Sequence, residues 1–226
     1  MKRVLIVAAH PDDEVLGCGG TVARLSAQGI ECHLLIVTDG SSSQYRDSNC
    51  LQEIIEAKKL ETKNSSNLLG FKSIYYGNLP DMRLDTTPHI YINQVIEKVI
   101  NELKPDTVFT HFWGDVNLDH QNVFKSTLVA VRPVMGQTVR EIYCYRVPSS
   151  TEWTPNKVDT MYMPNFYVDI TDFAEHKYNA FACYSTELRD YPHPRSIQYL
   201  RETDKATGLK VGMFMAEEFV LLRKLI

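Results

Sequence analysis

Apolar and polar residues follow two periods that take turns along this chain. Val4 to Ala8 is an unbroken apolar run ending in a polar turn at His10, the pattern of a parallel strand buried on both faces. From about Asp13 to Gln28 the spacing becomes helical, through Val15, Leu16, Val22 and Leu25, with Gly29 as a stop. Cys32 to Val37 predicts a second strand, followed by turn-forming Thr38-Asp39-Gly40-Ser41. A helix over Leu51–Leu69, a short strand over Ile74–Tyr76, a helix over Ile90–Leu103, a strand over Thr107–Thr110 and a helix from about Asp119 to Val131 continue the alternation. Such alternation predicts an α/β fold, a Rossmann-like, mostly parallel sheet with helices on both faces.

After a further strand at Ile142 to Tyr145 the alternation weakens. Residues 146–166 carry Pro148, Pro155 and Pro164 among several Ser and Thr, which predicts a long surface connection within one domain. A helix to about Tyr184, a rigid turn over Tyr191–Ser196 and a final helical stretch complete the expectation. The 226 residues are read as a single domain, 1–226, with a core of about 1–145 and a C-terminal substrate-loop and helical part of about 146–226.

Composition changes this picture little. The formal charge is −4 with no Lys/Arg run, which gives no general attraction to nucleic acid or to an anionic membrane. The apolar start is too short to span a bilayer and leads straight into a motif, so neither a membrane span nor a cleaved signal peptide is expected. Five scattered cysteines without a CxxC pair predict reduced thiols in a cytoplasmic protein. A homo-oligomer is compatible with all of this.

The first strand runs directly into His10-Pro11-Asp12-Asp13-Glu14. Ligands of open α/β sheets sit beyond the C-terminal ends of strands, which is where this cluster falls. A strand-to-helix turn can aim an imidazole nitrogen at His10 and a carboxylate oxygen at Asp13 toward one cation about 2.0–2.2 Å from each. Asp12 is then a nearby carboxylate free to act as general base on a water. A third ligand is expected from His120, which opens the helix after strand four. Two nitrogens and one oxygen leave a position open, as catalytic zinc requires. Acidic residues at a helix start often serve only the helix dipole, and Glu14 can be read that way. Gly17-Cys18-Gly19-Gly20 is not a dinucleotide fingerprint, since three carboxylates stand where pyrophosphate would bind; the glycines fit close packing of helix on sheet.

Ala9-His10-Pro11-Asp12-Asp13-Glu14, Leu16-Gly17-Cys18-Gly19-Gly20-Thr21 and Asp119-His120 together resemble the PIG-L/LmbE-like family of metal-dependent N-deacetylases. The resemblance covers Lys2 to about Pro133 and, more loosely, the rest. It implies Zn2+ held by His10, Asp13 and His120, with Asp12 as base, and a small-molecule substrate bearing an N-acetylglucosamine-like group. Many relatives carry His where this chain has Asn117, a position linked to steadying the oxyanion or protonating the leaving group. Asn117 can donate a hydrogen bond but no proton.

His193, fixed between Pro192 and Pro194, is the candidate for the missing acid; a rigid surface turn explains it equally well. Asp39, Arg46 and Arg83 lie near the same sheet edge and are candidates for substrate contact, against the commoner fate of turn-shaping or solvated residues. The reaction so predicted is hydrolysis of an acetamide to acetate and an amino sugar. The competing readings are hydrolysis of another amide or ester, and a catalytically silent sugar-binding protein.

Overall fold

A computed structural model describes residues 1–43, 49–155 and 157–226. The sheet is built from β1 (Arg3–Ala8), β2 (Glu31–Thr38), β3 (Ser73–Leu79), β4 (Thr107–His111), β5 (Glu141–Tyr145), β6 (Phe166–Asp169) and β7 (Ala216–Lys224). Its order is β3-β2-β1-β4-β5-β7-β6, with β1 to β5 parallel and β7 antiparallel to both its neighbours.

The period of two along β1 explains the two layers. Val4, Ile6 and Ala8 enter one core with Val15, Leu16 and Val22 of α1 (Asp13–Ala27) and Tyr178 and Phe181 of α5 (Ala174–Ala182). Leu5, Val7 and Ala9 enter the other with Ile92, Ile96 and Ile100 of α3 (His89–Leu103) and Val123 of α4 (Leu118–Ala130). Helix α2 (Leu51–Leu69) contributes Leu69 and α6 (Ile197–Lys210) Leu200 to the first layer. Close packing of α1 on the sheet requires its glycines: a Cβ on Gly17 would stand 2.2 Å from the Tyr145 ring.

The α/β reading of the core holds, with helices on both faces. The last part of the chain is corrected: the expected final helical stretch is α6 followed by β7, a strand. Glu217 and Glu218 open β7 and are both buried, which hides the apolar alternation behind two carboxylates. Glu217 is satisfied there, accepting the N–H groups of Gly20 (3.0 Å) and Thr21 (2.7 Å) and pairing with Lys177 Nζ at 3.0 Å. The sheet is accordingly mixed, with its parallel part spanning β1 to β5. Strand order reverses between β1 and β4, and the crevice at that point is where such sheets bind ligands.

Candidate metal centre

The chain leaves β1 through His10 and Pro11 and reaches Asp12 with φ of 105°, a left-handed conformation that costs a non-glycine residue strain. That turn folds His10 back over the start of α1, so that the His10 N–H donates to Asp13 Oδ2 at 2.7 Å. From the other side of the crevice, β4 ends at His111, and α4 begins after Asn117, whose Oδ1 accepts the Asp119 N–H at 2.8 Å. This cap places Asp119 and His120 in the first turn of α4, facing α1.

One ligand atom each from His10, Asp13 and His120 lie within 4.8 Å of one another. His10 Nδ1 is 3.2 Å from His120 Nε2, and Asp13 presents Oδ2 to the first and Oδ1 to the second at 3.4 Å. The far nitrogen of each ring faces a carboxylate: His10 Nε2 lies 3.1 Å from Asp119 Oδ2, and His120 Nδ1 lies 3.2 Å from Asp115 Oδ2. Those carboxylates face the outer nitrogens of the two rings, so the inner nitrogens point at one another beside the Asp13 carboxylate. Three donors converging in this way repel unless a cation sits among them. Metal-binding histidines are oriented by carboxylates in this manner, and the donor set fits zinc.

The electrostatics agree. Burial pulls the His10 pKa down, but Asp119, Asp13 and Asp81 outweigh it and hold it well above the ordinary imidazole value. Burial likewise opposes His120, which Asp13 and Asp115 nevertheless raise to about 9. Asp13 is held well below the usual carboxylate range because His120, His111 and His10 overcome its burial. The pocket attracts positive charge.

The carboxylates that aim the ligands are themselves fixed. Asp119 accepts the N–H groups of Met82 (2.8 Å) and Leu84 (3.0 Å). Asp115 accepts from Thr151 Oγ1 at 2.6 Å, from Ser150 Oγ and from the Asn117 N–H at 2.8 Å. His111 stacks on His120 with centroids 4.0 Å apart and accepts the Ala9 N–H at 2.8 Å, and burial holds it neutral.

Asp12 stands beside this centre, buried, with Oδ2 free of any hydrogen-bond partner and 3.4 Å from Arg195 Nη1. Burial raises its pKa to about 7, against the pull of Arg195. Glu14 is turned away from the centre: it takes a 2.6 Å hydrogen bond from Tyr184 OH, and burial raises it to about 8. His10, Asp12, Asp81, Met82, Asn117, Glu187 and Arg195 line an open cleft with about 400 Å³ of empty space.

The remaining sequence candidates are placed as follows. Asn117 lines the cleft, its amide committed to the α4 cap and its Nδ2 3.5 Å from Met82 Sδ. His193 is not among the residues that line the cleft; its Nδ1 accepts the Arg195 N–H at 3.0 Å and its ring meets Trp153 edge-on. Asp39 closes its own turn, accepting the N–H groups of Ser41 and Ser42. Arg83 is exposed beyond Met82, and Arg46 lies outside the described residues. Sequence reasoning missed Asp81, Asp115, Arg195 and Glu187. Asp115 was legible in the same short segment as His120; the others had no local signal.

The sequence model of the PIG-L family, described as GlcNAc-PI de-N-acetylase, matches residues 5–131. The chain belongs to this family. It is similar to the diacetylchitobiose deacetylase of Thermococcus kodakarensis, at 26% identity over 224 residues, 96% of this chain and 82% of that one. Among solved structures it resembles N,N'-diacetylchitobiose deacetylase from Pyrococcus horikoshii, with a TM-score of 0.78 and 25% identity, covering 98% of this chain and 84% of that chain. The 4-carboxy-2-hydroxymuconate hydratase GalB of Pseudomonas putida shares the fold at a TM-score of 0.79 and 18% identity, covering 100% of this chain and 98% of that chain. Among the described residues no helix is long and apolar enough to cross a membrane.

Proposed function

We propose that the protein is a zinc-dependent amidohydrolase that removes the acetyl group from an N-acetylated amino sugar, with His10, Asp13 and His120 as ligands. The observation that carries this reading is the convergence of those three donors, each ring backed by a carboxylate, beside the unpartnered Oδ2 of Asp12. Zinc bound there would lower the pKa of a water and polarise the acetyl carbonyl. Asp12 takes the proton of the attacking water; a pKa near 7 suits a base that must also give its proton back. Asp12 then returns that proton to the leaving amine. His193 is the weaker donor, because burial and Arg195 lower its pKa and leave it neutral at pH 7. Asn117 lines the cleft with an amide Nδ2 able to donate a hydrogen bond, while Arg83, Arg46 and Asp39 stay candidates for substrate hydroxyls or an anionic carrier. The small saccharide substrates named for the similar deacetylases support a sugar acetamide here.

Acetate release from a panel of N-acetylated saccharides and nucleotide sugars tests the activity. His10→Ala, Asp13→Ala and His120→Ala are each expected to strip the metal, read by elemental analysis; unchanged content in all three sinks the ligand assignment. Asp12→Asn is expected to keep the metal and lose on the order of 10²-fold or more in turnover. His193→Ala is expected to be nearly silent.

A further inference from the structure

Arg195 comes from the C-terminal part of the chain, within the turn at Tyr191–Ser196, and reaches the base. Its Nη1 lies 3.4 Å from Asp12 Oδ2 and donates to Glu187 Oε2 at 2.5 Å. Its Nε donates to Ser149 Oγ at 2.9 Å. Glu187 is gripped from behind by the buried Lys58, whose Nζ donates to Oε1 at 2.6 Å. The guanidinium is thus fixed by groups from three separate segments, while its Nη2 edge donates to no acceptor among the described residues. The side chain keeps 26% of its surface exposed, and it lines the cleft.

We infer that Arg195 is a catalytic residue of the deacetylation, donating from Nη2 to the acyl oxygen as that oxygen becomes negative. The inference rests on the deacetylase reading above. Asp12 must lie within hydrogen-bond reach of the water that attacks the carbonyl carbon. Arg195 Nη1 is 3.4 Å from the same carboxylate, and Nη2 is the neighbouring nitrogen of that planar group, which brings its free edge within reach of that carbon's oxygens. In the reaction the water oxygen bonds to the carbonyl carbon, its proton passes to Asp12, and the C=O electron pair moves onto oxygen. The oxyanion's electron pair then re-forms the C=O bond as the C–N bond breaks, and the departing amine takes the proton from Asp12. Arg195 neither gains nor loses a proton; Asp12 and Glu187 hold its pKa above even the ordinary arginine value. What it contributes is a fixed positive donor, aimed before the charge develops, in a site partly closed to water. Asn117 Nδ2, whose contact is Met82 Sδ at 3.5 Å, is a neutral donor and so offers a developing oxyanion less than a guanidinium does.

The test compares a tetrahedral mimic with the ground state. Wild type, Arg195→Lys, Arg195→Met and Arg195→Ala, each loaded with zinc, are titrated with the methylphosphonamidate of glucosamine and with N-acetylglucosamine. Metal content and thermal unfolding are followed alongside. Arg195→Met is expected to bind the phosphonamidate about 10²-fold more weakly and to lose about 10²–10³-fold in kcat, with metal retained. Binding of N-acetylglucosamine should change little. Methylguanidinium added to Arg195→Ala should restore part of kcat, which a merely structural tie between Ser149 and Glu187 would not allow. Equal loss for both ligands makes Arg195 a ground-state binding residue and overturns the inference, as does loss of neither. Wild type that binds neither probe and releases no acetate brings down the deacetylase reading, and this inference with it.

Discussion

Asn117 acts mechanically before it acts chemically. Its Oδ1 satisfies the Asp119 N–H, one of the donors left open at the start of α4, and Asp119 in turn aims His10. Asn117→Ala is expected to cost about 0.5–2 kcal/mol in urea unfolding, with Asn117→Asp close to wild type. Equal destabilisation by both variants would show that the cap is not what Asn117 supplies. The three ligand candidates were legible because they stand in the turns and helix starts that follow β1 and β4 and their residue types suit a metal. Arg195 and Glu187 were not, because they meet Asp12 only after some 180 intervening residues have folded and their own neighbourhood is a proline-rich turn. Asp115 and Asp119 share a short segment with His120, but which ring each one faces shows only in the fold.

At the level of elements, β3 is the edge of the sheet, joined to the rest only through β2. Near its start the His33 Nδ1 and Ser73 Oγ of facing positions share a 2.7 Å hydrogen bond. Burial lowers the His33 pKa below 6.5, so the folded state prefers the neutral ring. A group whose pKa falls on folding stabilises the fold above its unfolded value and ceases to do so as pH drops through the folded one. Stability is therefore expected to decline below pH 6.5 through this residue. His33→Gln should flatten that part of the urea-midpoint profile between pH 7.5 and 5, and amide exchange in β3 should quicken with acid only in wild type. An unchanged slope in the variant would assign the acid sensitivity elsewhere. Strands β1, β2 and β4 were readable because they are buried on both faces and alternate with helical spacing, whereas β3 was readable only over Ile74–Tyr76, before Gly77 and Asn78. Strands β6 and β7 were not. The first is four residues long, and the second begins with two glutamates whose partners, Gly20, Thr21 and Lys177, sit on other elements.

For the whole molecule, that glutamate belongs to a buried group joining α1, α5, α6 and β7. Lys177 Nζ pairs with Asp204 Oδ1 at 2.9 Å and Glu217 Oε1 at 3.0 Å, all three side chains being almost wholly enclosed. Lys177→Met leaves two carboxylates uncompensated and is expected to cost about 3–5 kcal/mol. Denaturant unfolding checks this; a loss under about 1 kcal/mol would mean that the group is already relaxed by water. The sheet order carries a consequence for how the protein is made. Strand β6 leaves the ribosome before β7, yet its only neighbour is β7, and the free edge of β5 waits for the same strand. A nascent chain can complete β1 to β5 and carry His10, Asp13 and His120 while one flank of its sheet stays open. Until β7 has emerged, that flank invites pairing with a neighbouring nascent chain. This exposure falls after the ligand set exists and before the fold is closed.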